Sequence, residues 1–207
     1  MPCEVKSLRV RTDMGDRKKY YIDKAIIVLQ QDGLRLSLEE VAGKMGITKK
    51  TLYNHFDSKE ELLKQCILSI SRDFQDAVSV LDDRNDNAIN NLRNGFERID
   101  ELFNVLSPVF FYDLMRLNPN QAMTEHLLGS GYFHEKVGAN LRQGIKEGVY
   151  LADIDIDFIC HYLAYSVIGF YIHSTIHNEP SLSKSYFEDI IEYHLRAITS
   201  EKGKELL

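Results

Sequence analysis

Proline and glycine are scarce in this chain, cysteine is scarcer, and regular alternation of apolar with polar residues is almost missing. Four prolines and twelve glycines among 207 residues exclude a fibrous or low-complexity chain. Cys3, Cys66 and Cys160 are odd in number, far apart and without a CxxC pair. That excludes a dense disulfide framework and makes a reducing cytoplasm the expected compartment. No apolar run follows the first basic residues, so no secretory leader is expected. The longest apolar-rich candidate for a membrane span, 158–176, carries His161, His173 and several hydroxyls, and reads as a buried helix. Catalytic constellations are missing too: there is no Gly-rich phosphate loop, no GxSxG elbow and no HExxH. His173 and His177 share a helical face, but two ligands without a carboxylate or thiolate do not complete a metal site. No enzyme, cofactor or metal is expected.

What the chain does have is helical periodicity and enough apolar residues, 44%, to build a core. The expected class is all-α. Its net charge of −6 divides unevenly: residues 1–60 carry twelve Lys and Arg against nine Asp and Glu, and the remainder thirteen against twenty-two. A local balance of +3 followed by −9 suggests that only the N-terminal part meets a polyanion.

The most specific stretch is 37–60, SLEEVAGKMGITKKTLYNHFDSKE. Ser37 is placed to cap a helix, with Glu40 three residues on to complete a capping box. Leu38, Val41, Ala42 and Met45 recur on one helical face, and Gly46 stands where a left-handed residue stops a helix. Thr48 opens the next helix, whose inward side is Leu52 and Phe56. So short a link forces a steep crossing, the geometry that presents a second helix to the DNA major groove. A first helix over Asp16–Gln31, with Ile22, Ala25, Ile26 and Leu29 inward and Gly33 ending it, completes a three-helix module. Residues 1–15, with Lys6, Arg9 and Arg11, read as a basic arm.

The run ITKKTLYNHFDSKEELL resembles the signature of the TetR family of transcriptional regulators. Its matching features are the hydroxyl residue opening the helix, then Thr51-Leu52-Tyr53, His55-Phe56, Ser58-Lys59-Glu60 and Leu62. The resemblance implies an N-terminal helix-turn-helix domain, 16–60, and a larger helical effector-binding and dimerisation domain, 61–207. It implies double-stranded DNA with a pseudo-palindromic operator as partner, a homodimer, and a repressor released by a small-molecule effector. Thr48, Lys49, Lys50, Tyr53, Asn54, His55 and Lys59 are the expected DNA-facing residues. Singly, each is an ordinary solvated side chain; together on one face of this motif they read as an interface. Control by a protein partner, or by no effector, stays open, as does an all-α enzyme or carrier built around an aromatic pocket.

Beyond the module, apolar stripes predict helices over 59–81, 88–105, 109–118, 121–147, 155–177 and 184–200, punctuated by Pro108, Pro119, Gly148 and Asn178-Glu179-Pro180. The 155–177 helix is apolar nearly all round, so one side needs a partner. Paired with 184–200, it suggests a four-helix interface through Phe158, Tyr162, Gly169, Ile172, Phe187, Ile191 and Leu195, the manner in which the family dimerises. The family resemblance also implies an effector pocket, for which the aromatic-rich middle offers Phe110, Tyr112, Tyr132, His161 and Tyr165. Ordinary core packing accounts for any one of these taken alone.

Overall fold

Ser37 and Thr48 set the local structure at the N-terminal end. Ser37 Oγ accepts from the Glu40 amide (3.3 Å), while Glu40 Oε2 accepts from the Ser37 amide (2.7 Å), so both halves of the capping box form. Thr48 Oγ1 accepts from the Thr51 amide at 3.1 Å. These caps open α2 (Leu38–Lys44) and α3 (Lys49–Tyr53), which follow α1 (Met14–Asp32). Gly46, at φ +70°, turns the chain between α2 and α3, and Gly33, at φ +91°, ends α1. Both adopt the left-handed backbone that costs a side chain most.

The structure, a computed structural model, describes residues 14–107, 110, 130–170, 173 and 186–207. The basic arm, the 109–118 helix apart from Phe110, Tyr112 and Ile172 therefore lie outside what is described. The chain divides into two compact units, 1–66 and 67–207. The first is held by Ile22, Ala25, Val28 and Leu29 of α1, Leu38, Val41 and Ala42 of α2, and Leu52, Phe56, Leu62 and Cys66, all buried. Ile26 sits at the flank of that core and Val28 takes the inward place expected for it.

Next come α4 (Lys59–Val78), a 3-10 turn (Ser79–Asp82) and α5 (Ala88–Val105). Further on lie α6 (Ser130–Glu147) and α7 (Ile156–His161), which runs into a π-helical stretch, Tyr162–Ile168. The described helices end with α8 (Tyr186–Ile198) and the short α9 (Glu201–Lys204). The polar run Asp83–Asn87 separates the 3-10 turn from α5, which Asn87 Oδ1 caps by accepting from the Asn90 amide at 2.9 Å.

The second unit is built round α5, whose Ile89, Leu92, Phe96, Ile99 and Phe103 meet Phe74, Val78 and Leu81, then Phe133, Val137 and Leu141, then Phe187, Ile191 and Leu195. Close packing leaves no room at Gly95, where a Cβ would come within 2.3 Å of Leu81 Cδ2. Asn140 stands fully inside this core. Asn140 Nδ2 donates to the carbonyls of Leu81 and Ala88, both at 2.8 Å, and the Tyr150 hydroxyl lies 3.2 Å from Asn140 Oδ1. Lys136 Nζ adds a bond to each oxygen of Asp82 at 2.9 Å. Through these contacts α6 grips the 3-10 turn that closes α4. Among the described residues no helix is long and apolar enough to cross a membrane.

Candidate nucleic-acid interface

α3 is only five residues long, so a single inward residue, Leu52, anchors it, with Phe56 just beyond its end; both are essentially inaccessible to solvent. Everything else on it faces outward. Thr48, Lys49, Lys50, Tyr53 and Asn54 are exposed. Tyr53, a large aromatic at 40% exposure, is the kind of amphipathic side chain that surfaces keep for contact. Lys49 Nζ lies 5.4 Å from the centre of the Tyr53 ring.

Thr48 and His55 have structural contacts of their own. The Thr48 hydroxyl caps α3 and meets the Thr51 hydroxyl at 2.8 Å. His55 is half-buried, its ring 4.7 Å from that of Tyr21 and 6.4 Å from that of Phe56. It braces the end of α3 against α1. Lys59 is half-buried at the start of α4.

Glu39, which sequence reasoning passed over, is the notable addition. From the first turn of α2 its carboxylate pairs with the Lys49 ammonium and accepts from the Tyr53 hydroxyl at 3.3 Å. The bond from Lys49 holds the Glu39 carboxyl below the usual carboxylate range, and the same bond raises Lys49 above its ordinary value. Only the fold brings residues 39 and 49 together, so no local pattern signals the contact. Elsewhere in this unit, the Asp57 amide donates to Glu61 Oε2 (2.9 Å) and Lys18 Nζ donates to Glu61 Oε1 (3.2 Å), tying the start of α4 to α1.

The second unit presents an aromatic face. Phe158 (64% exposed) and Tyr165 (67%) stand out along α7 and its π-helical extension, and Tyr193 (67%) stands out on α8. The Phe158 and Tyr162 rings stack at 6.0 Å, and Tyr162 meets His194 edge-on at 4.9 Å. Gly169 has open space where a Cβ would be. Phe187, Ile191 and Leu195 require correction as interface residues. They are 1%, 1% and 0% exposed within the single chain, with Phe187 stacked on Phe103 at 6.0 Å. The apolar stripe of α8 is used up by its own core, which leaves Tyr193 on the opposite side.

Among the described residues, the expected effector residues do not assemble into one enclosed pocket. Phe110 is buried, Tyr132 is half-buried beneath Lys136, and Tyr112 lies outside the described residues. His161 and Tyr165 point outward and line an open groove of about 380 Å³ with His134 and Glu135. These two are surface residues rather than pocket contacts, because the core side of their helix is taken by Cys160, Leu163 and Val167. The buried thiols offer no ready nucleophile: burial pushes Cys66 up to about 12 and Cys160 up to about 11.

Two short helices crossing behind a capped, lysine-bearing third element define the class, a helix-turn-helix DNA-binding protein. Residues 22–66 match the family described as "Bacterial regulatory proteins, tetR family". The HTH-type transcriptional repressor KstR2 of Mycobacterium tuberculosis is 24% identical over 166 residues, covering 75% of this chain and 80% of that protein. Among solved structures, ketosteroid transcriptional regulator KstR2 of Mycobacterium tuberculosis superposes with a TM-score of 0.64 at 21% identity, over 93% of this chain and 100% of that one. A transcriptional regulator from Pseudomonas aeruginosa gives 0.68 at 18% identity, over 90% and 92%. A TetR-like transcriptional regulator from Rhodococcus gives 0.66 at 21%, over 89% and 96%. Residues 22–66 carry a TetR-type DNA-binding domain, and the chain is a DNA-binding transcriptional regulator.

Proposed function

We propose that this regulator is a cytoplasmic homodimeric repressor that reads a pseudo-palindromic operator through α3 and leaves it when a small molecule binds the second unit. The observation that carries the DNA-reading part is the outward set Lys49, Lys50, Tyr53 and Asn54 on a helix anchored by Leu52. Lysines suit guanine O6 and N7 or phosphate, and Asn suits adenine. The basic balance of residues 1–60 supports the same assignment. Repression is supported by the repressor among the chain's relatives.

Dimerisation is assigned to the exposed aromatic face of Phe158, Tyr162, Tyr165 and Tyr193. Large apolar side chains at this exposure favour a covering partner. Release works by population shift: an effector that takes the protein from 99% competent to 1% must favour the released state by ~5.5 kcal/mol. The test is titration of purified protein onto its selected DNA site with and without small molecules. Loss of binding with the dimer intact supports effector control. Indifference to every compound that binds the protein removes the effector from this reading and leaves the DNA-reading assignment standing.

A further inference from the structure

Glu39 is an odd neighbour for a DNA-reading helix. Of the described side chains around α3 it alone brings negative charge to both Lys49 and Tyr53, and it does so from an exposed position where no burial compels the pairing. A carboxylate there cannot contact phosphate favourably, yet the two groups it holds are the ones best suited to do so. Non-specific binding to duplex DNA is driven by phosphate neutralisation. Whatever occupies Lys49 in the free protein therefore weakens non-specific binding first.

We propose that Glu39 is a specificity-determining residue, holding Lys49 and Tyr53 in the free protein in competition with phosphate, so that non-cognate duplex is bound less tightly. The inference rests on the assignment of α3 to DNA. On any duplex, moving Lys49 to a phosphate strips Glu39 of its partner beside a polyanion. Only a base edge with an amino donor, such as cytosine N4, returns a partner to the freed carboxylate. Discrimination of this kind works by penalising the wrong partner rather than by strengthening the right one. As an exposed carboxylate Glu39 is charged across the neutral range, and the bond from Lys49 lowers its pKa further.

The test compares wild type, Glu39→Gln, Lys49→Gln and the double variant on a random-sequence duplex and on the DNA site selected by the wild type, each at several salt concentrations. Glu39 is exposed, and circular dichroism confirms that every variant is folded. Glu39→Gln is expected to tighten random-duplex binding on the order of tenfold for a dimer, twice the range of one exposed ion pair. Its salt slope steepens by about one for each subunit, since Lys49 now displaces a counterion without Glu39 recruiting one. Affinity for the selected site changes less, so the ratio of the two affinities falls. In the Lys49→Gln background the same substitution has little effect on the random duplex.

Unchanged or weaker random-duplex binding by Glu39→Gln would overturn the proposal. An equal gain with and without Lys49 would also overturn it, because general charge repulsion would then explain the result. If the wild type binds no duplex at all, the assignment of α3 to DNA falls first and this inference with it.

Discussion

Lys49 and Leu52 stand three residues apart on α3 and have opposite fates, and that opposition makes the site. Leu52 is fully buried and carries the helix; Lys49 projects into solvent and is met by Glu39. Truncating Leu52→Ala removes most of the only inward side chain of a five-residue helix. A loss of about 2–5 kcal/mol in unfolding free energy is expected from urea titration. Lys49→Ala or Tyr53→Ala leaves the fold intact by circular dichroism and weakens operator binding on the order of tenfold in a gel-shift titration, one contact being lost from each subunit. Unchanged affinity would reject the assignment of those residues. The outward set was legible in the sequence because capping chemistry and the Leu52–Phe56 spacing fix which side faces in. Glu39 was not legible, because its role depends on a tertiary crossing. The packing of His55 on Tyr21 equally depends on the fold.

Among the elements, α5 ends at Val105, on the bounds expected for it, and buried Leu106 closes it. α4 stops at Val78 and tightens into a 3-10 turn through Leu81, because Asn140 and Lys136 draw that turn onto α6. Replacing Asn140→Leu removes the side-chain donor to the Leu81 carbonyl and one of two side-chain partnerships at the Ala88 carbonyl and the Tyr150 hydroxyl, which keep each other. Chemical denaturation should show at least about 2 kcal/mol less stability. The face of α8 was misread: a strong apolar stripe shows that one side is covered without telling what covers it. Only the packing of Phe187, Ile191 and Leu195 on α5 settles that.

Beside that stripe on α8, His194 packs against Tyr162, and burial lowers its pKa. The unfolded chain then takes up a proton at ~6.5 while the folded chain resists it. Stability is therefore full above that pH and is lost as pH falls from there toward the lower folded value. The melting temperature should drop between pH 7.5 and 5.5, and His194→Gln should flatten part of that drop.

At the scale of the whole molecule, charge and exposed aromatics divide the labour. The basic balance lies in residues 1–60 and the acidic excess beyond, while the large exposed aromatics of the second unit gather on α7, its extension and α8. A two-fold pairing across that face would set two copies of α3 to read one DNA site. Phe158→Glu combined with Tyr165→Glu should give a monomer in sedimentation velocity that no longer binds the operator. A dimer that persists would move the interface elsewhere. The all-α class and the helix-turn-helix were readable from periodicity and caps. The effector site was not, since aromatic residues serve a core and a pocket equally well, and here His161 and Tyr165 face solvent.

The most direct test is selection of duplex sites from a random pool by the purified protein. The account predicts enrichment of an inverted repeat whose half-sites lie about one helical turn, ~34–36 Å, apart. It also predicts that Tyr53→Ala binds the selected site on the order of tenfold more weakly. A pool that stays random under conditions where the dimer is folded and free of bound small molecules would contradict it.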